Sequence, residues 1–416
     1  MQAALRKIQF ALLIALVFTM PFSTGEIKLN SYFIILLTVN TILCAIFLKG
    51  EAGRSFHPIL ILFAFVFVAH LTGLFKADNM HGATFELQKK LGILLFPFVL
   101  FFSPRFTAKE NGKVMLSFVL SCLLTGIVCI ATATFRFITT LEPEVFFYHR
   151  FSEIAGIHAT YLSMYCCFSI AILLYGYFEK INSFTARQKA AYYFSVFILA
   201  LSVLFLSGRM QILVLVVGAA AYLVFSYYKK IGMVRSLLLA ILAGGGILGL
   251  ALLSPTIRDR FKEGLNYDIG ERWGEQQVRA LIWSSAIELI KEHPLTGVGT
   301  GDVQDELQKY YLDHEYVSLT YLENTRYNAH NQYLETAVGL GMPGLLILLA
   351  GFFASLVYAR RNNKILYFIF VLLFMLSCMT ESMLERQNGI VFYAFFNAFL
   401  YLNSFSIRGS DSRVSA

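Results

Sequence analysis

Residues 114–135 read VMLSFVLSCLLTGIVCIATATF, an uncharged run that begins directly after Lys113. A helix needs roughly 20 apolar residues to cross a hydrocarbon core of about 30 Å, and this run supplies them without interruption. Comparable runs recur along almost the whole chain, near 8–24, 31–48, 58–75, 91–103, 157–178, 190–206, 211–228, 235–253, 332–358, 365–380 and 389–406. The pattern predicts an all-α polytopic membrane protein with about twelve transmembrane helices. Composition agrees: with 57% hydrophobic and 14% charged residues, any soluble fold would expose a large apolar surface, so the surplus must face lipid. The first run follows Arg6 and Lys7 as a signal peptide would, but it lacks a small-x-small cleavage site and reads as an uncleaved first helix.

Charge orients these helices. With the N-terminus in the cytoplasm, 18 of the 34 lysines and arginines fall inside, and eight of the 16 outside belong to the single long segment 254–329. Long segments translocate largely regardless of charge, so the short loops obey the positive-inside bias and both termini are expected in the cytoplasm. Much of the net charge of +8 is thereby a matter of orientation, without nucleic acid. All six cysteines lie within apolar runs, which argues against a disulfide framework and against zinc.

The expected organisation is a single integral membrane domain: helices one to nine over 1–253, an outer loop over 254–329, and helices ten to twelve over 330–416. The loop is too polar to span and too long for a plain connection, so function is expected to face outward. Within it Val278, Leu281, Ile282, Ser285, Leu289 and Ile290 recur at helical spacing. They predict an amphipathic helix lying along the membrane interface and ending at His293-Pro294.

A few polar residues stand out against this background. Arg209, in Leu206-Ser207-Gly208-Arg209, interrupts two apolar runs on the outer face, either snorkelling to lipid phosphates or offering its fork of donors to a lipid-linked phosphate. Arg279 lies on the amphipathic helix with Glu275 a turn before and Trp283 a turn after, and Arg272 stands about two turns earlier. Spacing alone makes it a solvated Glu-to-Arg helix pair. His330, in Asn328-Ala329-His330-Asn331-Gln332-Tyr333-Leu334-Glu335, opens the tenth membrane helix, with Asn328 as expected N-cap. There the helix dipole favours the neutral imidazole that a general base requires, and Glu335 lies further along the same helix. Gly297, Gly299 and Gly301 lack a preceding strand and a Walker lysine, so they read as a tight return, with backbone N–H groups facing a pyrophosphate as the alternative. Tyr148, His149, Arg150, His158, Lys89, Lys90, Glu381, Glu385 and Arg386 cluster near the outer boundary, to line an acceptor cavity or anchor helices. No metal-ligand spacing is present, so pyrophosphate charge would have to be met by arginine.

The segments Arg279-x-x-x-Trp283 running into Pro294-Leu295-Thr296-Gly297-Val298-Gly299, and His330-Asn331-x-x-Leu334-Glu335 before Gly339-x-Gly341, resemble the O-antigen ligase family. Arg209 after its serine-glycine break fits the same pattern. The resemblance implies a GT-C-like fold with a large periplasmic loop carrying short amphipathic helices. It also implies a metal-independent inner-membrane glycosyltransferase without cofactor. That enzyme would move a polysaccharide from undecaprenyl pyrophosphate to lipid A-core at the periplasmic face. Carried onto this chain, Arg209 and Arg279 would bind the pyrophosphate and His330 would orient or deprotonate the acceptor hydroxyl. Arg272, Trp283, Asn331, Glu335, Arg150 and Lys90 are the further residues expected to contact donor or acceptor. O-antigen polymerases and protein O-oligosaccharyltransferases resemble the ligases over this region. A transporter of the same lipid-linked sugar is the alternative from another class, disfavoured because the candidate groups cluster at one face and no repeat is evident.

Overall fold

The computed structural model describes residues 1–22, 29–48, 59–180, 184–253, 258, 275–316, 319 and 326–404. The described residues form helices and their connections, with a helix at each of the twelve apolar runs. These are α1 (Gln2–Thr19), α2 (Leu29–Phe47), α3 (Ile59–Thr72), α4 (Met80–Phe102) and α5 (Ala108–Thr140), followed after a short α6 (Tyr148–Ser152) by α7 (Ala159–Lys180) and α8 (Ala186–Leu206). Then come α9 (Arg209–Ile231), α10 (Met233–Leu253), the non-spanning α11 (Glu275–Glu292) and α12 (Val303–Asp313), and finally α13 (Gln332–Arg361), α14 (Ile365–Ser377) and α15 (Gln387–Leu402). Six of them, α1, α2, α5, α7, α8 and α13, are long and apolar enough to cross a membrane.

Local chemistry sets the helix ends. Thr107 and Glu110 form a reciprocal capping box at the start of α5, and Thr185 and Gln188 do the same for α8. With 33 residues α5 is about 50 Å long at 1.5 Å per residue. It therefore outreaches a bilayer core, and Arg136 near its end pairs with Glu153 at 2.5 Å. The fourth helix begins at Met80, before the apolar run at 91, because Lys89 and Lys90 are neutralised by Glu86 on the same helix.

The interior is aromatic. Phe118 of α5 meets Phe396 of α15 at 4.8 Å, and Tyr165 of α7 stacks on Phe392 at 4.6 Å. Every residue of α15 from Gly389 to Tyr401 is buried, so the last helix is the central one. By contrast Tyr32, Ile35, Leu36, Val39, Ile42 and Ile46 form an exposed apolar stripe along α2, as lipid contact requires.

Outside this bundle α11 and α12 build a second, smaller core. Ile282, Ala286 and Leu289 of α11 close on Leu307 and Tyr311 of α12 and on Val338 of α13. The apolar face of α11, expected along the membrane interface, is thus covered by protein. The clasp between the layers explains the glycines. α13 breaks at Gly341 (φ 68°), and Pro343 has no N–H to offer the carbonyl of Gly339, while the Met342 N–H turns to Pro294 O at 2.8 Å. The vacated carbonyls of Val338 and Gly339 are taken by the N–H groups of Val298 (2.8 Å) and Gly299 (3.0 Å). A Cβ on Gly297 would lie 2.4 Å from the Gly339 backbone, and one on Gly301 would lie 2.3 Å from Ala83 N. The glycine run is therefore a site of close backbone approach. The alternative of N–H groups facing a pyrophosphate fails for Gly297, Val298, Gly299 and Thr300, whose N–H groups all bond to protein carbonyls.

Candidate active site

Two cavities open beside this clasp, joined by the connection between α14 and α15. The first, about 340 Å³, is lined by Arg209, Arg279, Trp283, Tyr148, Gln211 and Thr380 among others. Its lining holds two arginines and, among the described residues, no carboxylate. Arg209 reaches it because α8 ends on Ser207 in the left-handed region (φ 52°) and α9 starts two residues later, so the serine-glycine break turns the first side chain of α9 inward. Gly208 allows that turn to close: a Cβ there would meet Gln211 Oε1 at 2.5 Å. Arg279 arrives from α11, where its Nη1 donates to the carbonyl of Thr380 at 3.2 Å.

The second cavity, about 350 Å³, is lined by His330, Lys90, Glu335, Glu86, Glu385, Arg386 and other polar residues. It contrasts with the first in being charge-balanced: Glu86, Glu335, Glu385 and Asp305 face Lys89, Lys90, Arg326 and Arg386. Most of these charges are already matched. Buried Lys90 bonds Glu86 at 2.7 Å and Glu385 at 2.8 Å, and Arg326 bonds Asp305 at 2.5 Å.

His330 sits on the wall of this cavity with φ 43°. It does not lie in the first turn of α13. The N-cap is Asn331, whose side chain accepts from the N–H groups of Tyr333 and Leu334, whereas Asn328, the expected cap, accepts from the His330 N–H at 3.0 Å. The reason is steric: the left-handed residue cannot belong to the helix, so the cap moves one residue past it. The loop is held from several sides. Trp283 Nε1 donates to Ala329 O at 3.0 Å, and the Ala329 N–H donates to the buried Glu335 at 2.7 Å. The imidazole Nδ1 lies 3.3 Å from Glu381 Oε1.

Glu381 and Glu385, four residues apart outside the helices, are driven in opposite directions. Burial pushes Glu381 upward, but its hydrogen bond to His330 and the nearby charges of His330, His158 and Arg279 hold it below the usual carboxylate range. Burial raises Glu385 above that range, with Lys90 pulling against it and Glu86 adding to the rise.

Of the residues singled out from sequence, the fold gathers Arg209, Arg279 and Trp283 in the first cavity, and His330, Glu335 and Lys90 in the second. Arg150 joins neither. It is half exposed and pairs with Glu142 at 2.8 Å and Glu144 at 3.6 Å. Asn331 contributes its side chain to the cap of α13, and Arg272 lies outside the described residues. Gln211, Glu86 and Asp305 were not foreseen: a polar residue inside an apolar run carries no marker of what it will face.

Residues 194–349 match the model of the family described as O-Antigen ligase. This segment is similar to the O-antigen ligase family. The match takes in Arg209, Arg279, Trp283 and His330, while Lys90 and Glu381 lie beyond it. A search of curated proteins gave no match. Six helices of membrane length and an O-antigen-ligase-like segment over 194–349 are what the chain shows.

Proposed function

We propose that the chain is an O-antigen ligase of the bacterial inner membrane, with twelve crossings, both termini in the cytoplasm and the two cavities at the periplasmic face. The donor is a polysaccharide on undecaprenyl pyrophosphate and the acceptor is lipid A-core. One observation carries this reading: Arg279, in a cavity with two arginines and no lining carboxylate among the described residues, bonds the carbonyl of Thr380, and His330, on the wall of a charge-balanced polar cavity, lies against the next residue, Glu381. The first suits a diphosphate, whose developing charge arginine neutralises as the glycosyl bond breaks. The second suits a sugar, whose hydroxyls are bound by polar and paired charged groups. His330, on the wall of the second, is the group to take the acceptor proton. Attack from the side opposite the diphosphate inverts the anomeric carbon. The donor set of the first cavity offers cations to the diphosphate, so the transfer needs no divalent ion.

The test uses the full-length protein in nanodiscs with undecaprenyl-pyrophosphate-linked glycan, lipid A-core and EDTA. Glycan on lipid A-core, abolished by His330→Ala, is the expected result. Lengthened lipid-linked glycan without transfer to lipid A-core would make the protein a polymerase, and glycan moved across the bilayer without covalent change would make it a transporter.

A further inference from the structure

We propose that Glu381 is the positioning residue for His330, fixing the ring so that Nε2 faces the acceptor hydroxyl. This rests on the reading above that His330 takes the acceptor proton. The ring nitrogen Nδ1 lies 3.3 Å from Glu381 Oε1, and Glu381 is 4% exposed, while the His330 side chain keeps 26% of its surface open. One end of the imidazole is therefore held in the wall while the residue fronts the cavity. A carboxylate at Nδ1 selects the tautomer with the proton on Nδ1 and leaves Nε2 with its lone pair, which carries no hydrogen bond among the described residues.

Glu381 can do this because its own place is fixed on every side. The preceding Thr380 carbonyl accepts from Arg279, the Glu381 carbonyl accepts from the Met383 N–H at 2.9 Å, and Ser382 Oγ donates to Glu335 at 3.3 Å. The charged and titratable neighbours are His158, Arg279, Arg386 and His330 itself. The hydrogen bond from His330 and the charge of Arg279 hold the carboxyl below its usual range. In the transfer, the acceptor oxygen bonds the anomeric carbon as the bond to the diphosphate breaks, and the electron pair of that bond leaves with the diphosphate. The hydroxyl proton passes to Nε2, and the imidazolium so formed lies against the Glu381 carboxylate. Arg279 contacts the carbonyl next to Glu381, so the arginine of the donor cavity and the histidine of the acceptor cavity are set by one dipeptide.

The experiment compares wild type, Glu381→Gln, His330→Ala and the double variant, full-length in nanodiscs with undecaprenyl-pyrophosphate-linked glycan and lipid A-core, between pH 5.5 and 9. Glu381→Gln keeps the shape and removes the charge. Its kcat is expected to fall about 10²-fold with an altered pH profile, while KM for the donor stays within about twofold and the double variant is no slower than His330→Ala alone. Wild-type turnover and pH profile in Glu381→Gln, or a loss that multiplies that of His330→Ala, would overturn the positioning role. Wild-type turnover in His330→Ala would instead remove the proton-transfer reading, and this proposal with it. Thermal unfolding of each purified variant checks its fold. If Glu381→Gln does not fold, Glu381→Asp carries the same comparison, because it keeps the charge but withdraws it by one methylene. Reduced kcat at unchanged donor KM is then expected, and unchanged kcat overturns the role.

Discussion

Replacing Trp283 by phenylalanine isolates the backbone support of His330. The indole N–H donates to the carbonyl of Ala329, the residue before His330, at 3.0 Å, and Ala329 is fully buried. Phenylalanine keeps an aromatic ring on the arginine cavity, deletes that bond and gives up part of the indole's packing on the outer core. A buried carbonyl left without its donor costs about 1–3 kcal/mol. For a chain of this size that corresponds to a fall in Tm of roughly 1–4 °C. The effect on turnover is expected to be larger in proportion. The Ala329 N–H remains tied to Glu335, so the segment pivots on one side, and a displacement of the reacting group by about 1 Å costs roughly 10²-fold in rate. The expected variant is folded, a few degrees less stable, and between about 10-fold and 100-fold slower in glycan transfer, with donor KM near that of wild type. Transfer by W283F at the wild-type rate would refute the argument that this bond places His330. A Tm lowered by much more than about 10 °C would refute it differently, by making Trp283 a pillar of the outer layer.

Three other perturbations follow from the same geometry. Gly297→Ala must place a Cβ 2.4 Å from the Gly339 backbone on a residue with φ 65°. The backbone conformation and the overlap together should cost about 2–5 kcal/mol, read as a fall in Tm in detergent. Lys90→Met leaves Glu86 and Glu385 without their shared cation in a buried place. A loss of about 3–5 kcal/mol is expected, and adding Glu385→Gln should recover part of it in the same unfolding measurement. The third concerns acid. Glu381 is held below its ordinary value of 4.5, so its contribution is complete above that pH and is lost as the pH falls through the lower folded value. Thermal unfolding between pH 3 and 6 should therefore show wild type losing stability on the acid side faster than Glu381→Gln, and parallel curves would contradict it.

The architecture was legible in the sequence where a single physical rule dominates. Apolar runs of bilayer length have few other uses, and each of the twelve holds a helix. Its limits fell where charges are matched across the fold. The apolar run starts near 91 whereas α4 starts at Met80, and Lys90 is bonded both to Glu86 on its own helix and to Glu385 far along the chain. The candidate site was legible for the same reason as the spans. A charge beside an apolar run stands out, and Arg209, Arg279 and His330 do so. Whether such a charge meets its fellows depends on tertiary placement, which local sequence does not carry: Arg150 looks equivalent to Arg279 and pairs instead with Glu142. Glu381 was visible only as one polar residue among several, because its partner is 51 positions away.

The backbone shows where this fold concentrates strain. Of the described non-glycine residues with positive φ, Tyr148 (56°) and Ser207 (52°) line the arginine cavity and His330 (43°) lines the polar one. Each conformation costs about 1 kcal/mol or more, so each must be held by surrounding structure. For Ser207 the hold is the junction of α8 and α9, where its N–H returns to Leu204 O at 3.1 Å. For His330 it is the set of bonds from Asn328, Trp283, Glu335 and Glu381. The glycine clasp adds the coarser restraint, tying α11 to α13 through Val298 and Gly299 and to α3 through the bond from the Thr300 N–H to Gly73 O. Arg279 rides on α11 and His330 precedes α13, so the clasp that joins these helices also limits how far the two residues can move apart. A glycosyl transfer in which one group neutralises the leaving diphosphate while another takes the acceptor proton needs that separation to be fixed. A chain that packs its glycines at the clasp, where Gly301 and Gly339 also line the polar cavity, meets the need with backbone alone.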